Sequence, residues 1–310
     1  MLDKIITEIP KVAVIVGCYN HRDYIIECIQ SILEQNYSNL VVYVSDDCST
    51  DDSFDVLSDF VLNHKIINVY LNRNANNLGV ADNYNLLIDK ALQDNDVAYV
   101  VPFAGDDIMC RNKIKRQVDS LSSKPEVLVS YSNMEWFDSK TRKKIINHFN
   151  FFFRASTQVG EIISESLIPT PTLCIRRSGV EKIKYDNRLK YINDYLFTVE
   201  LVLSGGVVYI PEVLVLYRKH GTSITDLNTF ADERVLAATI VSSKYGYKKF
   251  TDEFASTALY DDLLSHMNNG DVRSSLLAFK KVGFKFFSSR KWFFRLLKFF
   301  YIVLNRKSRI

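Results

Sequence analysis

Five cysteines (Cys18, Cys28, Cys48, Cys110 and Cys174) are spread through 310 residues with no C-x-x-C pair. That spacing excludes a disulfide framework or a zinc ribbon, and points to small packing residues in a reducing compartment. No charge-free apolar stretch reaches the roughly 20 residues that a membrane-spanning helix needs. The opening MLDKIITEIPK has neither the apolar core nor the cleavage site of a secretory signal, so the expectation is a cytoplasmic protein. No G-x-G-x-x-G opens the first helix, which speaks against a nicotinamide dehydrogenase. The turn GCYNHRD also lacks the Gly-rich, basic phosphate loop of a nucleotidyltransferase, the alternative metal-dependent enzyme. Internal repeats and low-complexity linkers are absent too. Acid is missing from one end: residues 272–310 hold 11 Lys and Arg and no Asp or Glu. The net charge of +3 therefore hides a body of 28 basic and 36 acidic residues, net −8, joined to a strongly basic tail. Such a split points to an anionic surface as partner, either nucleic acid or membrane.

What is present is a chain of 47% apolar residues, enough for a substantial core. Apolar runs at 12–16, Leu40 to Ser45, Ile67 to Leu71, Tyr99 to Phe103 and Glu126 to Tyr131 read as strands. Between them, Asp23 to Gln35, Ser53 to Leu62, Val80 to Leu92 and Ile108 to Leu121 read as helices. This alternation predicts an α/β three-layer sandwich on a mostly parallel sheet. Residues 133–157 read either as short antiparallel strands (Met134 to Phe137, Lys143 to His148, Phe149 to Phe153) or as a loop. Residues 158–168 are expected to be helical, Thr172 to Ile175 a strand, and Asp194 to Leu203 a helix. Val207 to Ile210 and Val213 to Arg218 are expected as two strands around Pro211. From Phe230 the pattern is helical, with candidates Phe230 to Tyr245, Thr251 to Met267, Asp271 to Phe287 and Ser289 to Leu304. The expected division is an α/β domain over 1–225, in two halves that meet near residue 107, and a helical extension over 226–310.

Three predicted strands end in polar or acidic turns, at 17–20, 46–51 and 105–107. Those turns share the sheet edge where open α/β folds bind ligands. Asp106 and Asp107 follow a buried strand directly, and adjacent carboxylates repel unless a cation or a shared proton offsets them. A divalent ion carrying a diphosphate fits, because Mg²⁺ and Mn²⁺ favour one or two carboxylates plus phosphate oxygens. The plain alternative is an acidic turn that caps the next helix.

The segments VAVIVGCYNHRDYIIECIQSILEQ, VSDDCSTDDS, NLGVADNYN, FAGDDIM with Lys113 and Gln117, INDYLFTVEL and YRKHGTSI occur in that order. Together they resemble the inverting nucleotide-sugar glycosyltransferases of family 2, of GT-A fold and bacterial surface-polysaccharide type, over about 11–223. The resemblance implies that Tyr19 lies against the donor base, Asp47 hydrogen-bonds base or ribose, and Asn83 helps to hold the donor. It makes Asp107 the direct ligand of Mn²⁺ or Mg²⁺, with Asp106 on ribose, sugar or a metal-bound water. His220 would reach the metal or the diphosphate, beside the positive charge of Arg218 and Lys219. Asp194 would be the general base, ahead of Asp186; Asn193 stands before it where family members often carry Glu. Asp51 reads as a turn and helix cap. Two further departures from the family pattern are Gly17, at a position that carries a hydroxyl in some relatives, and DDCS in place of DDGS. Cys48 there needs a backbone conformation that glycine adopts freely.

In the tail, FKKVGFKFFSSRKWFFRLLKFFYIVL alternates basic and aromatic residues, with ten aromatics in 272–310. This fits a segment lying on an anionic membrane surface; a helical pair packed on the body is the alternative, and nucleic acid fits less well for want of a reader motif. The resemblance and the tail together imply a UDP-sugar donor, a polyprenyl-diphosphate-linked saccharide acceptor and a peripheral place on the cytosolic face of the plasma membrane. An oligomer formed through the late helices is left open, as is a non-catalytic sugar- or membrane-binding scaffold.

Overall fold

Val12 to Val16 are at most 1% exposed, so both faces of the first strand are covered, as in a parallel sheet flanked by helices. The computed structural model describes residues 9–145, 155–166, 168–220 and 230–268. In chain order the elements are β1 (Lys11–Cys18), α1 (Ile25–Leu33), β2 (Leu40–Asp46), α2 (Ser53–Asn63), β3 (Val69–Arg73), α3 (Val80–Leu92) and β4 (Val97–Ala104). There follow β5 (Ile108–Met109), α4 (Lys113–Ser122), β6 (Val129–Asp138), α5 (Val159–Glu165), a 3₁₀ turn (Thr170–Thr172), β7 (Cys174–Arg176) and α6 (Arg177–Val180). The series ends with α7 (Asn193–Gly205), β8 (Val207–Lys219), α8 (Ala231–Tyr245) and α9 (Lys248–Asn268).

The eight strands run β3-β2-β1-β4-β7-β6-β8-β5. β1 pairs in parallel with β2 and β4, and β2 with β3, giving the expected parallel half of an α/β sandwich. Beyond β4 the sheet is mixed: β7 is antiparallel to both β4 and β6, while β8 is parallel to β6. β8 therefore delivers its carboxyl end to the same edge as β1, β2 and β4. The covering helices follow their apolar spacing; Ile25, Cys28, Ile29 and Ile32 of α1 are all fully buried in the core.

Four expectations need correction. The helix after the acidic pair starts at Lys113, because Ile108 and Met109 pair with Leu216 and Val215 as a two-residue strand. Val207–Lys219 is one strand, and a register shift against β6 between Ile210 and Val213 accommodates Pro211, which cannot donate to a ladder. Met134 to Phe137 extend β6, with a bridge from Phe137 to Lys144. Thr172 belongs to the 3₁₀ turn, and the strand begins at Cys174. The expected strands near 146–153 and helices beyond 271 lie outside the described residues.

By internal packing the chain forms two units, Met1–Val159 with Leu167–His220, and Gly160–Ser166 with Gly221–Ile310. In the second, α8 and α9 pack on each other, with the Arg234 guanidinium 4.7 Å from the Phe254 ring and 3.3 Å from Asp261. Among the described residues no helix is long and apolar enough to cross a membrane.

Candidate active site

Two glycines bring the strand ends together. Gly105 donates its N–H to the Gly17 carbonyl at 2.9 Å. A Cβ at Gly105 would stand 2.9 Å from both His21 Nδ1 and Ile25 Cδ1. Only a residue without a side chain lets the end of β4 cross this close to the β1–α1 turn. Asp106 and Asp107 are thereby set beside His21, while β8 brings Arg218 and His220 to them from the other side.

Asp107 is fully buried. Its Oδ1 accepts the backbone N–H of Arg218 at 2.9 Å, and its Oδ2 has no hydrogen-bond partner. Burial, reinforced by the charge of Asp106, pushes its pKa well above the usual carboxylate range. Asp106 faces the opposite way. Burial acts against its charged form, but His21, 3.8 Å away, and His220, 2.9 Å away, hold its carboxyl below the ordinary value. Neighbouring acids with opposed proton preferences mark a place where charge is handled. Asp107 Oδ2 is a buried acceptor in want of a positive partner, so the residues fit a divalent cation. Among the described residues no three His, Cys, Asp or Glu side chains converge to hold a metal unaided.

The Arg218 guanidinium is committed to protein: Nε donates to the Asp106 carbonyl at 2.6 Å and Nη2 to Glu27 at 2.6 Å. It also lies 4.8 Å from the Tyr24 ring and 4.7 Å from Phe137. Tyr24 stacks in turn on the His220 ring, centroids 4.9 Å apart. The Lys219 ammonium sits 4.8 Å from the Trp136 ring, and its charge favours ionised Asp107.

Along the edge, Tyr19 is 44% exposed, an open aromatic face. Asp47 is buried, and its carboxylate takes the Leu78 and Gly79 N–H groups at 2.8 and 2.9 Å and the Asn74 amide at 2.9 Å. Asn83 is buried in the same network, accepting from Asn74 and donating to the Ser45 carbonyl. Asp47 and Asn83 thus shape the loop between β3 and α3. Asp51 stitches the neighbouring turns, accepting the N–H groups of Ser53 and Arg22.

Asp194 stands exposed in the first turn of α7. Although solvent reaches it, the surrounding protein desolvates the carboxyl and raises its pKa, against the Tyr195 N–H and the Thr170 hydroxyl, which favour the charged form. Its partners are Tyr195 N at 2.8 Å and Thr170 Oγ1 at 3.3 Å. Asp186 is instead paired with Arg188. Two touching tyrosines feel the charges of Asp194 and the acidic pair. The Tyr185 ring, under the field of Asp194, stacks on Phe197 at 4.0 Å and meets the Tyr84 ring at 5.4 Å; Tyr84 is under the field of Asp106. The Tyr84 hydroxyl donates to the Phe103 carbonyl at 2.7 Å. Asn85 fixes this junction by exchanging two 2.9 Å bonds with the backbone of residue 185. Sequence reasoning missed His21, Tyr84, Tyr185, Glu27 and Thr170. His21, Glu27 and Tyr84 lie inside quoted motifs and were within reach, whereas Tyr185 and Thr170 are brought in only by the fold.

The model of the family described as Glycosyl transferase family 2 matches residues 13–183, more than half of the chain. This chain belongs to glycosyl transferase family 2. The family 2 enzyme is 28% identical to the Escherichia coli UDP-Glc:alpha-D-GlcNAc-diphosphoundecaprenol beta-1,3-glucosyltransferase WfaP, over 69% of this chain and 79% of that protein. Its structure is similar to that of S. aureus TarS in complex with UDP-GlcNAc, with a TM-score of 0.63 at 18% identity over 88% of this chain and 80% of that one. It is equally similar to the mannosyltransferase PcManGT from Pyrobaculum calidifontis in complex with GDP-Man and Mn²⁺, with a TM-score of 0.63 at 16% identity over 96% of this chain and 86% of that one. At those identities the two structures establish the fold, the GT-A type sandwich expected for this glycosyltransferase.

Proposed function

We propose that this glycosyltransferase moves a hexose, with inversion, from a UDP-sugar to a hydroxyl of a polyprenyl-diphosphate-linked saccharide during polysaccharide assembly. The observation that carries this reading is the buried Oδ2 of Asp107, which has no hydrogen-bond donor, at the carboxyl end of the parallel strands. WfaP uses a UDP-sugar and a diphosphoundecaprenol-linked acceptor by its name, and TarS binds UDP-GlcNAc.

Asp107, with His220, would hold Mn²⁺ or Mg²⁺ together with phosphate oxygens of the donor, and Asp106 would reach ribose, sugar or a metal-bound water. When bound, such an ion supplies Lewis-acid stabilisation of the charge that builds on the departing nucleoside diphosphate. Tyr19 covers the base, and Asp47 with Asn83 shapes the loop wall around it. Asp47 keeps acceptor capacity for uracil N3–H or a ribose hydroxyl, a charge-assisted bond. Asp194 takes the proton of the acceptor hydroxyl as its oxygen bonds to the anomeric carbon. The bond from that carbon to the diphosphate breaks on the opposite face, and its electron pair leaves with UDP. Arg218 acts from the protein side by fixing Asp107 through its N–H and Asp106 through its carbonyl. Lys219 adds positive potential at the same place. The basic, aromatic segment 272–310, which lies outside the described residues, keeps the enzyme on the cytosolic membrane face where such an acceptor resides.

The test is sugar transfer by the purified protein with Mn²⁺, a panel of UDP-sugars and undecaprenyl-diphosphate-linked GlcNAc. Asp107→Ala and Asp194→Ala each abolish transfer, and only Asp107→Ala also weakens metal-dependent donor binding. Wild-type transfer by Asp194→Ala would remove the proposed base.

A further inference from the structure

Lys113 and Gln117, on one face of α4, are fully buried, and no step above uses them. The Lys113 ammonium donates to Gln117 Oε1 at 2.7 Å and to the Leu173 carbonyl at 3.0 Å. The Gln117 amide donates to the Thr172 carbonyl at 2.7 Å and the Ser130 carbonyl at 3.3 Å. An ammonium has three donors and no acceptor, and here its two partners are neutral oxygens. Burying a cation without a counter-charge is costly. Desolvation lowers the Lys113 pKa to about 7, although the nearby thiols Cys174 and Cys110 favour its charged form. A methionine would fill the same volume without that cost, so packing alone does not account for a lysine.

Its partners do. Leu173 directly follows the 3₁₀ turn and Thr172 closes it, the Thr172 hydroxyl donating back to the Pro169 carbonyl at 2.6 Å. The first residue of that turn is Thr170, whose hydroxyl donates to Asp194 Oδ2, while Asp194 Oδ1 takes the Tyr195 N–H. Each carboxylate oxygen thus has one fixed donor, which sets the plane of the carboxylate and leaves its remaining lone pairs for an incoming hydroxyl.

We infer that Lys113, together with Gln117, is a positioning residue for the general base: it clamps the Thr170–Thr172 turn so that the Thr170 hydroxyl orients Asp194. The role in turnover rests on Asp194 being the base, but the clamp is testable without turnover. In the full-length protein the Asp194 carboxyl is titrated by carbon-13 NMR in wild type, Thr170→Val, Lys113→Met and the double variant. Tyr185 is the phenol coupled to Asp194 and stays neutral through this range. Because a donor to the charged form lowers a carboxyl pKa, Thr170→Val raises it by about half a unit to one unit. Lys113→Met raises it in the same direction, and the double variant goes no further, since both act through one contact. Thr170→Ser restores the wild-type titration. In transfer assays Thr170→Val lowers kcat about threefold to tenfold with KM unchanged. Gln117→Leu cuts the Thr172 and Ser130 bonds and takes one of the two acceptors of the ammonium, while leaving its bond to Leu173. It is expected to shift the titration as well and serves if Lys113→Met misfolds. An unmoved Asp194 titration in Lys113→Met, or shifts that add in the double variant, would overturn the inference. Transfer that persists in Asp194→Asn would instead remove the base and leave the titration results standing.

Discussion

At the scale of single residues, the two departures from the family pattern have physical accounts. Cys48 has φ 61, the left-handed region, which costs a residue with a Cβ about 1–2 kcal/mol. Replacement by glycine relieves that strain but frees the unfolded chain, at about 0.5–1 kcal/mol. Cys48→Gly is therefore expected to stabilise the fold by about 0.5–1 kcal/mol, read from urea denaturation. Gly17 is explained by Tyr84, whose ring would stand 3.0 Å from a Cβ at that position and whose hydroxyl would stand 3.1 Å away. A tyrosine hydroxyl from α3 thus occupies space beside residue 17. Gly17→Ala forces Tyr84 to shift and is expected to cost about 1–3 kcal/mol, measured the same way. The sequence exposed Cys48 because a non-glycine at a turn stands out. It could not expose the contact with Tyr84, which lies 67 positions further along in the same chain and reads as one more aromatic on an amphipathic helix.

Among the elements, the parallel half was legible because β1, β2 and β4 are buried on both faces and read as unbroken apolar runs. The mixed half was not. β5 has two residues, too few for any periodicity, and exists because β8 offers it a partner. β8 itself looked like two strands because Pro211 punctuates it, whereas the bulge opposite Asn133 absorbs the proline. The turn 170–172 is closed by its own bonds to Pro169, but its ties to Lys113 and Gln117 of α4 leave no local signal in the sequence. Two predictions belong at this scale. The Lys113 folded-state pKa, about 7, lies below its ordinary 10.5. Between those values the unfolded chain binds a proton that the folded one does not, so stability rises with pH there. Urea unfolding at neutral and alkaline pH should show this rise in wild type and its loss in Lys113→Met. The raised pKa of Asp194 at the head of α7 places the acid limb of kcat above that of an ordinary carboxylate. A pH–rate profile with its limb in the usual aspartate range would contradict this.

For the molecule as a whole, the family motifs point to the sheet edge where β1, β2, β4 and β8 end, and Asp47, Asp106 and Asp107 stand there. Mn²⁺ and a UDP-sugar together should raise the unfolding temperature, because a ligand bound only by the folded state stabilises it by mass action. Asp107→Asn should lose the metal-dependent part of that rise in a thermal-shift assay. The segment 272–310, with 11 basic residues and no acid, predicts binding to vesicles containing anionic lipid, at roughly 1 kcal/mol per basic residue near the surface. Full-length protein should co-sediment with such vesicles and dissociate as salt rises; a variant with these lysines and arginines replaced by glutamine should stay in the supernatant.

The Asn85 amide joins α3 to the stretch leading into Asp194 by gripping the main chain of residue 185, not a side chain. A handhold on the backbone is indifferent to what the gripped residues carry. Exposed side chains of this stretch, such as Lys182, Asn187 and Arg188, can thus be exchanged for others that suit a different alcohol, while Ile183, Tyr185 and Leu189 stay packed in the core and hold the stretch in place. New linkages could arise within this scaffold by local substitution there, without redesign of the donor site.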